Sequence, residues 1–479
     1  MDKMEWLIIA IGLTGIFLSV VFNQLALVGL IAFIPFTILG LNQLLRKPIL
    51  GLYFIFTLNY FIMPVFRYTS GSGFSVFMDI FFVLIFVVIC INHVYKQDIP
   101  WNQLINGMAI GTFCWMAFCI LEIINPYGVF SAWISMRMLI VHTFICVFLT
   151  SVLCKEFRIV KTLVFLLSIF TLAAIVKVIY QKYVGFDSYE IRWLNEGGAR
   201  THIIRSGIRY FSFFTDASNF GSNMGFTGAV FLIVACYIKK KPIQIYYFIV
   251  SVLSIYAMFL SGTRGAIVVP LGALALFCIT SKNAKAMVVT GSLLVFVYLF
   301  FAFTTIGEGN AQIRRMRTAF NPTKDASFIV RQENRAKLSE YMKNKPLGVG
   351  LGMAGGNAQK YSSAYTTTIP TDSWFVMIWV QTGVVGLTLY IMILLYGVIH
   401  GAYIIMYKIR DKELKGFLTA LVCGVFGFLG SAYTTDSFGQ FPCHIMTFMF
   451  LTICLKGELY QKEIDFQQSD KISYNYELQ

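Results

Sequence analysis

Runs of about 17–22 apolar residues recur from one end of the 479-residue chain to the other, separated by short charged or Gly/Pro-bearing connections. At 1.5 Å per helical residue, a run of that length matches a hydrocarbon layer roughly 30 Å thick. Backbone buried in lipid must satisfy its own hydrogen bonds, so the runs read as helices, and their lack of polar/apolar alternation excludes a transmembrane β-barrel. With 57% hydrophobic and only 13% charged residues, the chain is not a soluble globular enzyme. The expected fold class is an all-α polytopic membrane protein with about 12–14 transmembrane helices and one large extracytoplasmic loop containing short helices.

The fullest reading places spans at 6–22, 24–45, 49–66, 74–94, 104–124, 132–153, 162–181, 210–238, 243–261, 265–281, 286–304, 373–407, 416–433 and 443–455, the long run being tilted or broken near Gly383 and Gly386. The first run has no small-residue cleavage site after it and reads as a retained helix. Residues 1–181 form N-terminal helices, 182–304 central helices with Arg motifs at the outer face, 305–372 the large loop, 373–455 C-terminal helices and 456–479 a solvated cytoplasmic tail. The cysteines sit mostly inside apolar runs without metal-type spacing, as small packing residues.

The chain carries a formal charge of +15. Arg46/Lys47, Lys96, Lys155/Arg158/Lys161, Lys239–Lys241, Lys282/Lys285 and Lys408/Arg410/Lys412/Lys415 fall on alternate connections, on the side of Lys3. By the positive-inside rule that side is cytoplasmic, with both termini. Two outer connections are nevertheless basic: 182–208, with Lys182, Arg192, Arg200 and Arg205, and the large loop, where Glu308 to Asp372 holds 10 basic against 5 acidic residues. Topology does not require those charges, and arginine suits phosphate because its planar fork donates two parallel hydrogen bonds.

Arg205 and Arg209 stand before a span. Arg264 lies in Ser261-Gly-Thr-Arg-Gly265, a link too short for a solvated loop, whose glycines can turn the backbone while leaving amides for an anion. The plain alternative is a snorkelling span-end charge. In the large loop, Asp325 or Ser327 can cap a helix running to about Asn344, stopped by Pro346 and Gly348. On it Arg331 and Arg335 share a face, which would ordinarily be a solvated one, while Leu338, Tyr341 and Met342 form an apolar patch. Gly348–Gly356 lacks a Gly-Lys-Ser/Thr ending and is not a nucleotide loop. Intramembrane Arg137 and Lys177 are costly unless they touch substrate or pair, for instance with Glu122.

Three motifs over roughly 200–400 resemble the O-antigen ligase and polymerase superfamily of bacterial membrane proteins, which handle polyprenyl-pyrophosphate-linked glycans. The first is Arg209-Tyr-Phe-Ser-Phe-Phe214-Thr-Asp216-Ala-Ser-Asn219, with Ser212 where the family usually has Gly. The second is Ser261 to Gly265. The third runs from Arg331 to Pro346-Leu-Gly348-Val-Gly350-Leu-Gly352, then Pro370-Thr-Asp372-Ser-Trp-Phe375 and Gln381-Thr-Gly383-Val-Val-Gly386.

The resemblance implies glycan transfer in the bacterial inner membrane, outward-facing and without metal or cofactor. A hydroxyl of a glycan or lipid acceptor attacks the anomeric carbon of a polyprenyl-pyrophosphate-linked donor. Arg264 and Arg209, with Arg205, would stabilise the leaving pyrophosphate, and Arg331, Arg335, Asp216 and Asn219 would bind substrate. Family ligases carry a His where this chain has Thr371-Asp372, so the polymerase branch fits better, with Asp372 the favoured general base, Asp216 second and His202 third. Expected partners are membrane lipids, a flippase and a chain-length regulator, and no nucleic acid. The rival functions are a ligase transferring glycan to a lipid acceptor and a glycolipid flippase. The latter would need basic residues along a path through the spans, whereas here they cluster outside.

Overall fold

A computed structural model describes residues 14, 38–69, 75–96, 100–204, 207–320 and 326–477, so the expected span 6–22, most of 24–45, the candidate cap Asp325 and Arg205 lie outside the described residues. The described chain is helical apart from one short hairpin and its connections. Nine of its helices are long and apolar enough to cross a membrane, and three shorter apolar helices accompany them, so this is an all-α polytopic membrane protein.

The chain divides into two units, Met1–Ile55 with Ser75–Pro100, and Phe56–Phe74 with Trp101–Gln479. In the first, α1 (Ile49–Thr69) begins and α2 (Ser75–Lys96) runs its length, with Gly51 against Ile85 and Phe54 on Phe81 at 4.6 Å.

The second unit holds α3 (Gly107–Leu121), α4 (Thr143–Leu153), α5 (Phe157–Tyr183), α6 (Ala217–Tyr237), α7 (Lys241–Leu260), α8 (Val268–Thr280) and α9 (Ala284–Phe303). The large loop's α10 (Ala326–Met342) follows, then α11 (Trp374–Tyr407), α12 (Lys412–Ala432), α13 (Cys443–Leu455) and α14 (Gly457–Glu477). Helices α6 and α12 are its centre, 83% and 78% buried over their most apolar windows, against 11% for α9, whose apolar surface is left for lipid. A small-residue stripe explains the position of α6: a side chain at Gly221, Gly225 or Gly228 would collide with Ser261, Ala266 and Ile255, so the stripe lets α7 and the turn after it approach.

The expected span 132–153 is instead a short helix, Phe130–Ser135, a π-helical turn, Met138–His142, and α4. The expected span 210–238 starts seven residues late, because Ile203–Ile204 and Gly207–Ile208 pair as strands, 212–216 turns and Asp216 caps α6 through the Ser218 and Asn219 amides. The tail is helical, and its start is packed: Tyr460 is buried, and Glu463 accepts from the first amide of α5, Phe157. Lys177 pairs with Asp187 at 2.8 Å and Glu190 at 3.0 Å, whereas Glu122 accepts from Asn125.

Helix α11 is broken where expected. Gly383 has φ +67°, and residues 346–350 of the large loop run along the break. Val349 and Gly350 donate to the carbonyls of Val380 and Gln381, and Val385 donates to Pro346, so the groups freed by the break are satisfied. The apolar patch of α10, Leu338 and Met342, packs with Val349, Met353 and Val380. The glycines of the third motif therefore allow backbone to meet backbone: a Cβ on Gly383 would sit 1.9 Å from the Pro346 oxygen. Gly383→Ala should destabilise the fold by upwards of about 1–2 kcal/mol and free the loop, seen as a lower melting temperature in detergent and faster proteolysis within 305–372.

Candidate active site

Three connections between long helices of the second unit meet around a cavity of about 540 Å³, with Arg209 and Asp216 from the first, Arg264 from the second and Asp436 from the third. Arg315, Arg331 and Asp372 complete its charged lining.

The first segment, 201–216, is held from behind. Asp187 caps the Ser188–Trp193 helix in a capping box with Glu190. Partial burial works to raise the Asp187 pKa, but hydrogen bonds from Lys177, Tyr68 and the Glu190 backbone bring it down to about 2. Gln181 donates to the Ser212 carbonyl and accepts from its amide, both at 2.8 Å, while Ser212 Oγ donates to Ala174. These bonds hold Ser212 at φ +52°, in the left-handed region that favours glycine, and the three hydrogen bonds offset the cost to a non-glycine residue. Arg67, near the end of α1, donates to the carbonyls of Phe214 (2.6 Å), Ser212 (3.3 Å) and Thr215 (3.3 Å), and its guanidinium lies over Trp193 and Phe211.

Arg209 and Asp216 project from this clamped segment. Arg209 donates to the Thr201 carbonyl at 2.9 Å and to Thr263 Oγ1 at 2.8 Å, and Thr263 Oγ1 in turn donates to Ala217 O, joining the first segment to the second. Burial lowers the Arg209 pKa, Asp216 opposes this, and the positive Arg264 and Arg331 lower it further. An anion in the cavity would relieve that crowding.

In the second segment the amides of Gly262, Thr263 and Ala266 bond to Phe259 O, Ser261 Oγ and Thr263 O. The expected reserve of free amides is therefore not found at those three positions, and anion binding falls to side chains. Arg264 reaches across to Thr318 Oγ1 at 3.2 Å, beside Arg315 of the large loop.

The third segment, 433–442, is tied to the start of α11: Trp374 N donates to Thr435 O and Ser373 Oγ to Ala432 O. Asp372 sits immediately before these ties at φ +50° and lines the cavity, and the helix after it starts at Trp374 without a side-chain cap from Ser373. Asp436 opens onto the cavity with its side chain accessible to solvent there, although the protein packed around it leaves less water to solvate a charge than at an open surface. That desolvation first, then the charges of Asp216 and Asp372, push its pKa up to about 6 against the opposing pull of its own backbone amide and Arg331.

Of the residues singled out from sequence, Arg209, Arg264, Arg331, Asp216 and Asp372 line this cavity. His202 lines it too, but its Nε2 accepts from Ala217 N and its Nδ1 faces Gly198 O, so both ring nitrogens are engaged, and burial lowers its pKa. Arg335 turns away, donating to the hydroxyl and carbonyl of Tyr433 and lying over that ring at 4.3 Å. Asn219 is buried behind the wall, donating to Gln440 and Phe441. Sequence reasoning missed Asp436 and gave Arg315 no role. Position at the ends of spans was the available signal for Asp436, and for Arg315 only membership of the basic loop.

No group of three or more His, Cys, Asp or Glu among the described residues is arranged to hold a metal ion. Arg67→Ala should cost about 2 kcal/mol or more, since three carbonyls lose a charged donor, and Arg67→Lys should restore only part of that. Thermal unfolding in detergent measures both.

No curated protein matches the chain. Residues 249–391, which carry Arg264, Arg315, Arg331 and Asp372, match the O-antigen ligase family, Wzy_C. Over that stretch the chain is similar to O-antigen ligases, in agreement with the resemblance that its motifs carry to the O-antigen ligase/polymerase superfamily.

Proposed function

We propose that the protein is a glycan polymerase that joins polyprenyl-pyrophosphate-linked oligosaccharide repeat units at the extracytoplasmic face of the bacterial inner membrane. One observation carries the reading: Arg209, Arg264, Arg315 and Arg331 share a single cavity with Asp216, Asp372 and Asp436. The arginines bind the donor's pyrophosphate, and their charge counts for more at the edge of a low-dielectric membrane than in water. A hydroxyl of the acceptor glycan attacks the anomeric carbon. The new glycosidic C–O bond forms as the bond to the pyrophosphate oxygen breaks, and the lipid pyrophosphate departs with the bonding pair. The hydroxyl proton passes to Asp372.

Thr371-Asp372, standing where family ligases carry histidine, favours polymerase over ligase. A strain lacking the protein should then carry single repeat units on its acceptor, whereas loss of a ligase would leave polymer on the polyprenyl carrier and loss of a flippase would trap units in the cytoplasmic leaflet. Arg264→Ala at normal abundance should reduce polymerisation about 100-fold or more, the scale for removing a donor from developing negative charge. Full-length polymer from that variant would remove Arg264 from the mechanism.

The carboxylate cluster gives the rate a sign in pH. Asp436, with its pKa raised to about 6, gains its charge above that value and by its coupling to Asp372 makes that carboxylate the better proton acceptor, so turnover of purified lipid-linked units should rise with pH through about 6 and then level. Asp436→Asn should shift or flatten that limb, and Asp372→Asn should abolish turnover across it.

A further inference from the structure

A second cavity, of about 760 Å³, lies at the other end of α5 from the Tyr183 end that leads toward the active site. It lies between the first turns of α5 and α7 and the start of α12, and its volume falls within the roughly 300–1,000 Å³ of small-molecule sites. Its floor is apolar and aromatic, made by Phe165, Ile243, Tyr247 and Phe417. Its rim is basic: Arg158, Lys161, Lys239 and Lys240, with Glu413 the one acidic lining residue. Lys161 pairs with Glu413 at 3.2 Å, while Arg158, Lys239 and Lys240 stand exposed on the rim.

The first turns of α5 and α7 hold Arg158 and Lys241 and no acidic residue. Glu156 and Glu463 face the N-terminus of α5, but neither lines the groove, and the one carboxylate that does, Glu413, is already paired with Lys161. An anion among Arg158, Lys239 and Lys240 would offset that local excess of positive charge. An apolar floor beneath a basic rim, at the ends of membrane-spanning helices, also matches one ligand chemistry: a phosphodiester headgroup at the interface with its acyl chains running down the helices. Positive-inside bias explains basic residues on this side, but not a groove between three helices with an aromatic floor.

We propose that this groove is a binding site for an anionic phospholipid of the membrane leaflet, its phosphodiester held by Arg158, Lys239 and Lys240 and its acyl chains lying on Phe165, Ile243 and Phe417. The site is independent of the polymerase reading and stands or falls without it.

Thermal unfolding of the full chain, purified in neutral detergent, tests the proposal with dioleoylphosphatidylglycerol, dioleoylphosphatidylcholine or sodium phosphate added. Phosphatidylglycerol should raise the melting temperature saturably, by about 2 °C or more, and the other two should not. An equal rise with phosphatidylcholine would overturn the proposal as a general lipid effect, and an equal rise with phosphate would assign the rim to a free anion. The triple variant Arg158→Gln/Lys239→Gln/Lys240→Gln should lose the rise, and a control removing three charges elsewhere, Lys285→Gln/Lys408→Gln/Lys412→Gln, should keep it. Equal loss in both would reduce the effect to net charge and overturn the site. Ile243→Trp fills the groove from an exposed position (42% accessible) and leaves every charge in place. It should also lose the rise, and it keeps the test decisive if the triple variant does not fold. A rise retained in Ile243→Trp would overturn the proposal.

Discussion

Every backbone polar group withdrawn into a membrane has to find a partner inside the protein, and the chain meets that demand wherever its backbone leaves the long helices, beside the cavity and away from it. Arg67 and Gln181 serve residues 212–215, and the Pro346–Gly350 stretch serves the break in α11. Asn59 and Asn219 donate to the carbonyls of Pro442 and Phe441. The partners come from distant helices, so irregular backbone is held in place, and the charged side chains that line the cavity are Arg209, Arg264, Arg315, Arg331, Asp216, Asp372 and Asp436.

Four guanidinium groups share the cavity with three carboxylates, all of them at least partly accessible to solvent. Desolvation lowers the Arg209 pKa and raises that of Asp436, each in the direction of losing charge. An anionic ligand would compensate the arginines, and a transferred proton would be welcomed by the acids. Acyl-lipid phosphates meet a different arrangement at the far end of α5, where the basic residues form a rim over an apolar floor instead of enclosing a polar space.

Much of the fold is legible in hydropathy. The limits of α13 coincide with the apolar run 443–455, and the break in α11 falls at the Gly383 that marked it. Misreadings occurred where an apolar sequence does not form an apolar helix. Tyr210 to Phe214 has the composition of a span, yet it turns, because Arg67 and Gln181 offer its backbone better partners than another helical turn would and Asp216 caps the helix only afterwards. Residues 132–153 likewise read as one span but are interrupted at a π-helical turn beside Arg137.

The sequence by itself determined the class of structure, since run length and period decide between helix and strand in lipid, and it determined which charged residues stand at the ends of spans. Tertiary structure alone decided which of them converge. Arg331 and Arg335 are four residues apart on one helix, yet the first enters the cavity and the second is diverted to Tyr433, a residue 98 positions away. Asp436 joins Asp372 only because the start of α11 bonds to Thr435 and Ala432. Hydropathy is a property of neighbours along the chain, whereas a binding site is a property of contacts between helices distant in it, and those are fixed by packing and by the backbone groups each helix end must satisfy.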